Sequence, residues 1–303
     1  MRRAISATGH VLITVGLLLL LFVAYQLWGT GVWEARAQDA LEEDFRAAQR
    51  EFAERTPDDP VVGPGQPASS TTTTLAPLPP LVPGEVMGAI RIPKIGVERY
   101  VVEGVGREDL KKGPGHYPGT PLPGQVGNAA IAGHRTTYGA PFFDLDRLEP
   151  GDEIFASTVR GEYRYEVYQK LVVAPTDVWV VDNTPDAQLT LTTCNPKYSA
   201  RERLVVKARL VPDASDAPVE VPPSSVPAER PGLDSLAEGL DGARQSLGPA
   251  YGWGALATLV GLVWWWCFRR WRHPLTWVAG VVPFLAVLFV FYVYLERVLP
   301  AGY

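Results

Sequence analysis

The chain has 303 residues, a formal net charge of −5 and two cysteines. With 28 basic residues against 33 acidic ones there is no general basic field for nucleic acid, and two cysteines make neither a disulfide framework nor a cysteine-rich zinc site. At ~100–200 residues per domain, the length allows one or two folded units.

In chain order, residues 1–10 carry Arg2 and Arg3 and lead into an uncharged run at 11–28 (VLITVGLLLLLFVAYQLW), near the lower limit of ~17–25 residues for a bilayer crossing. Glu34, Asp39, Glu42, Glu43 and Asp44 follow it, so the positive-inside bias puts the N-terminus in the cytoplasm. Ala35-Arg36-Ala37 has the small-x-small form of a signal-peptide cleavage site, but the run exceeds the usual ~7–15-residue apolar core and ends well before it. Residues 29–55 are expected to form a helical juxtamembrane stalk. Its one apolar stripe, Leu41, Phe45, Ala48 and Phe52, would be covered by the stalk itself, by lipid headgroups or by a neighbour. Residues 56–83, rich in Pro, Ser and Thr, cannot bury a core and are expected to be an extended spacer of ~3.1 Å per residue. A second spacer, 212–250, leads to apolar runs at 251–268 and 275–295, joined by a basic loop at 269–274 containing Arg269, Arg270 and Arg272. Three transmembrane helices, with that loop cytoplasmic, leave the middle of the chain and the tail 296–303 on the extracytoplasmic side.

Residues 84–211 remain as one domain, large enough for a core. Short β segments are expected at 89–92, 100–102, 129–132, 153–158, 163–173, 188–193 and 203–210, with Gly and Pro clusters between them. Only 107–112 and 143–148 look like helical turns. This pattern makes the domain all-β, a closed or nearly closed barrel with short helices.

Cys267 falls in the second apolar run, so Cys194 is the thiol outside the membrane. In Leu189-Thr190-Leu191-Thr192-Thr193-Cys194 the leucines share one strand face, and Thr190, Thr192 and Cys194 the other. In the next strand Leu204, Val206 and Ala208 share one face, Arg203, Val205 and Lys207 the other. If the two strands pair across the intervening turn, Cys194 stands opposite Arg203, on the polar side. A guanidinium there would lower the thiol pKa and offer donors to an oxyanion. Arg201 has the same parity but would sit inside the turn. His134 ends the apolar stretch 128–133 and leaves its strand for a loop, and Gly133 allows close approach. His116 lies in a Gly- and Pro-flanked turn, where a capping or solvated role is expected. Cysteine, histidine and arginine together suffice for acyl transfer, and no cofactor or metal is called for.

Thr190-Leu191-Thr192-Thr193-Cys194 resembles the TLxTC signature of sortases, the membrane-anchored transpeptidases of Gram-positive bacteria. Gly133-His134-Arg135 upstream and Arg203-Leu204-Val205-Val206 downstream extend the likeness in the family's order. The resemblance implies an eight-stranded β-barrel with Cys194, His134 and Arg203 as the site. It also implies cleavage of a C-terminal sorting signal between Thr and Gly, through a thioester, and transfer to a cell-wall precursor amine. The stretch GPGHYPGTPLPG…NAAIAGHRTTYGAPF, with Cys-x-Pro-Lys after the nucleophile, is most similar to class E sortases of actinobacteria, which favour LAxTG-like signals. On that likeness Tyr117 and Thr193 are assigned to substrate binding. The partners implied are secreted proteins bearing such a signal, a lipid-linked peptidoglycan precursor and membrane lipids. Alternatives are a pilin-polymerising sortase that uses a lysine amine, a cysteine endopeptidase, and a non-catalytic peptide-binding scaffold. Asp59-Pro60 is followed by Val61, so no Asp-Pro-aromatic lid is expected.

Overall fold

The computed structural model describes residues 13–14, 16–55, 81–212, 248–271 and 274–298. Most of the two expected spacers, and Asp59-Pro60, lie outside the described residues.

Eight strands form the barrel: β1 (Val86–Ile92), β2 (Val97–Glu103), β3 (Gly115–His116), β4 (Asn128–Ala132), β5 (Glu153–Thr158), β6 (Gly161–Val173), β7 (Gln188–Asn195) and β8 (Glu202–Leu210). They close in the order β1-β2-β3-β4-β7-β8-β6-β5. Period-two alternation sends Ile90, Val101, Ile131, Ile154, Leu189 and Val206 into one buried core. Closure brings β1 against β5, where a Cβ on Gly88 would lie 2.2 Å from the Ser157 carbonyl oxygen. Only glycine lets the two backbones approach so closely.

Most pairs are antiparallel, but β2–β3 and β4–β7 are parallel. The parallel β4–β7 pair has the consequence for function: both strands deliver their C-terminal residues to the same rim of the barrel.

The structure corrects one local expectation. His116 is neither a cap nor solvated. It occupies β3, a two-residue strand, and is 2 % exposed inside the barrel, with Nδ1 2.6 Å from Glu103 Oε2 and Nε2 2.9 Å from Thr120 Oγ1. The helical turns expected at 107–112 and 143–148 are present, as the short helix α2 over Arg107–Leu110 and a 3₁₀ turn over Leu145–Arg147. A further 3₁₀ turn, Val178–Val181, covers the outer face of the β4–β7–β8 sheet.

The expected stalk is helical, as α1 (Thr30–Arg55), and it continues from helical residues 16–24 through a π-turn at Tyr25–Gly29. The Leu41 and Phe45 part of its stripe is covered by the barrel. Leu41 and Phe45 are buried, and the Phe45 ring lies 5.8 Å from that of Tyr100 in β2. Gln38 donates to the Tyr100 and Lys112 carbonyls (3.0 and 2.9 Å) and accepts from Tyr100 N–H (2.7 Å). A side-chain amide that satisfies two segments at once fixes the helix in register as well as in place.

The helices α3 (Gly248–Trp271) and α4 (Pro274–Val298) follow the barrel. Among the described residues, Gly248–Arg270 is the helix long and apolar enough to cross a membrane, and the apolar part of α4, Ala279–Leu295, is shorter. The first apolar run lies partly outside the described residues. Among the described residues there are thus one such helix and one shorter apolar helix, and not three clear crossings. The helical residues after position 16 do pack on α4, where the Tyr292 hydroxyl donates to the Leu18 carbonyl (2.6 Å) and the Phe22 and Tyr292 rings meet edge to face.

Candidate active site

β7 and β8 pair so that Cys194 is the direct partner of Arg203. Thr190, Thr192 and Cys194 therefore share the outer face of the sheet with Lys207, Val205 and Arg203, while Leu189, Leu191, Leu204 and Val206 point into the core. Cys194 is a free, half-buried thiol. Arg203 is largely buried, and its Nη1 donates to the Ala200 and Glu202 carbonyls (both 3.0 Å), which anchors one end of the guanidinium in the β7–β8 turn. Arg201 is exposed in that turn.

On the other side of β7, Ala132 of β4 pairs with Thr192 in parallel register, and Gly133 N–H continues the ladder to the Thr192 carbonyl (3.1 Å). The same register, extended two residues past the last pair, would bring His134 level with Cys194. Gly133 is needed because a Cβ there would lie 2.6 Å from the Phe142 ring, so the close approach is from a core aromatic. His134 is partly buried, its ring centroid is 5.3 Å from that of Tyr138, and its Nε2 is sealed from solvent with no hydrogen-bond partner among the described residues. Burial above all, then the positive charges of Arg107 and Lys111, holds its pKa at about 4. The imidazole is therefore uncharged at neutral pH.

Tyr117 reaches the same face from beyond β3. Its N–H bonds the Ala130 carbonyl (2.9 Å), and its hydroxyl is hydrogen-bonded to Thr192 Oγ1 (2.9 Å). It spans β4 where the outward residues, Ala130 and Ala132, are small. Burial raises its pKa, with the Thr192 bond and Arg203 opposing, so the phenol stays protonated. Thr193 is placed differently from expectation. It alternates away from Cys194, is buried, and donates to the Gly133 carbonyl (2.7 Å), a link between strands and not a lining of the outer face.

Arg135 adjoins His134 and belongs to the Gly133-His134-Arg135 likeness, which gives it no role of its own. It is nearly fully buried, and its Nη1 donates to the Cys194 carbonyl (3.1 Å) and Asn195 Oδ1 (3.0 Å). Its Nη2 pairs with Asp146 (2.8 Å). One planar fork thus joins the end of β4 to the end of β7. Lys197 completes the brace by pairing with Asp144 (3.0 Å) across the Phe143 ring.

A small apolar cluster of Val173, Val180 and Val205 adjoins this face. Asn128 fastens the 3₁₀ turn above it, donating to the Val180 and Asp182 carbonyls (3.1 and 3.0 Å). No group of three or more metal-ligating side chains occurs among the described residues.

Cys194, Arg203 and His134 thus come from neighbouring strands or strand ends of the closed barrel, β7, β8 and β4. The family model for the sortase domain matches residues 90–211. Sortase SrtE2 of Streptomyces coelicolor is 32 % identical over 225 residues, 69 % of this chain and 83 % of that one. Sortase SrtE1 of the same organism is 34 % identical over 224 residues, again 69 % of this chain, but 57 % of its own length. The chain thus matches little more than half of that relative. A solved structure of sortase E from Streptomyces avermitilis is 38 % identical, covering 45 % of this chain and 92 % of that one with a TM-score of 0.41. The chain belongs to the sortase family, and its relatives make it a class E-like member.

Proposed function

We propose that this chain is a cysteine transpeptidase that cuts an LPxTG- or LAxTG-like sorting signal between Thr and Gly and passes the acyl group to a cell-wall precursor amine. The observation that carries the reading is the direct pairing of Cys194 with Arg203, with His134 leaving the adjacent parallel strand at the same level.

The signal would lie extended along the outer face of β4, β7 and β8, its apolar N-terminal residue against the Val173–Val180–Val205 cluster. Neutral His134 takes the Cys194 proton as sulfur attacks the Thr carbonyl. The oxyanion is met by the N–H groups of Arg203, whose other end is already anchored to backbone. As the intermediate collapses, the C–N bond breaks and imidazolium returns the proton to the glycine amine, leaving a thioester on Cys194. The incoming amine loses its proton to the same imidazole, attacks the thioester and regenerates the thiol. Atoms and charge balance without a cofactor. The helix Gly248–Arg270, long and apolar enough to cross a membrane, supports a membrane-anchored enzyme. The fuller topology, in which runs 11–28 and 275–295 also cross and the barrel faces away from the cytoplasm, is part of the proposal.

The test is a sorting peptide offered with and without an amine to the full chain and to Cys194→Ala. The wild type is expected to release the glycine-containing fragment, with amine turning the other product from acid to amide. Cys194→Ala should release none, and fragment release by that variant at the wild-type rate would overturn the reading.

A further inference from the structure

Three consecutive residues in the loop after His134 adopt left-handed backbone: Tyr138 (φ 49°), Gly139 (φ 69°) and Ala140 (φ 44°). Two of them carry side chains, so the loop would not hold this shape unaided. The helix α1 supplies the hold. Tyr138 N–H donates to Thr30 Oγ1 (3.1 Å), whose hydroxyl in turn donates to the Gln26 carbonyl (2.7 Å) in the π-turn. One turn on, Glu34 closes over the next residue, where a Cβ on Gly139 would lie 2.4 Å from Glu34 Oε2. Glu34 is 2 % exposed and accepts from Arg99 Nε of β2 (2.7 Å), which fixes the carboxylate against the barrel. The first contact ends on the residue whose ring packs against the His134 imidazole, and the second on the residue that follows it.

We propose that α1 is a positioning element for His134, with Thr30 and Glu34 as positioning residues that hold the Tyr138–Gly139 backbone and, through the Tyr138 ring, the imidazole. The inference rests on His134 carrying the proton in the function proposed above. It makes the helix leading from the apolar N-terminal run part of the site's geometry and not a tether alone. The charged groups facing the imidazole are Arg107 and Lys111, and the group facing Glu34 is Arg99. None of them belongs to α1's own contact with Tyr138, so that contact can be altered without changing the charge around the ring.

The test compares full-length wild type with Thr30→Val, which keeps the shape and loses the acceptor, and Thr30→Ser, which restores it. Two readouts are followed: carbethoxylation of His134 by diethyl pyrocarbonate, mapped by mass spectrometry, and amide formation from a sorting peptide. Loss of one hydrogen bond to this loop should speed His134 modification about fivefold and lower kcat about fivefold in Thr30→Val, with KM unchanged and both values restored in Thr30→Ser. Thr30→Val that modifies His134 at the wild-type rate overturns the proposal, whatever the activity does. Faster modification in an enzyme that is inactive even as wild type would sustain the positioning and overturn the function instead.

Discussion

At the scale of residues, the site depends on groups whose own bonds are already spent. Arg135 is the clearest case, since its fork reaches the Cys194 carbonyl, Asn195 and Asp146. Arg135→Ala leaves buried acceptors unmet and should destabilise the barrel by roughly 2–4 kcal/mol, read from denaturant unfolding, while lowering kcat at least tenfold. Arg135→Lys should recover little, because an ammonium cannot reproduce the planar fork. His134 yields a second expectation. In the proposed reaction protonation would remove its ability to accept the thiol proton, and its pKa is lowered from 6.5 to about 4. The imidazole is competent above that value, so its limb of the kcat/KM profile should fall only as pH drops through about 4. A limb near 6.5 would mean that the imidazole is solvated when it acts.

Among the elements, the 3₁₀ turn Val178–Val181 has little regular structure of its own and is held down by Asn128. Asn128→Ala removes its bonds to Val180 and Asp182 and the acceptor for Thr190 Oγ1. The expected result is a loss of about 1–3 kcal/mol in stability and a several-fold rise in KM for a sorting peptide, with kcat near wild type. A lower kcat at constant KM would place the turn's influence on the chemistry and not on substrate binding. The longer elements were legible in the sequence: β5, β6, β7 and β8 read as strands, and in β7 and β8 the alternation of residues gives both the faces and the Cys194–Arg203 register. β3 was not legible, because two residues carry no period and lie among glycines and prolines. His116 was misread for the same reason: a strand too short to show alternation still sends its side chain into the barrel. The stripe on α1 was visible, but a stripe names no partner, and only the fold puts β2 beneath it. Arg135 left one faint signal, a charge next to the strand-ending histidine, whose burial no local pattern reveals.

Taken as a whole, the molecule draws its site from two parallel strands that are 60 residues apart in sequence between His134 and Cys194. Such pairing is non-local and has to be framed by the complete barrel, which is why substitutions far from the sulfur should be felt there. The docked α1 adds a second frame, joining the barrel to helical residues that pack on α4. The most direct measurement is rapid-quench mass spectrometry of the full chain mixed with a sorting peptide. An acyl adduct of the N-terminal fragment, mapped to Cys194 and consumed when amine is added, is the expected result. Product formed at the full rate with no adduct on Cys194, or with the adduct on another residue, would contradict it.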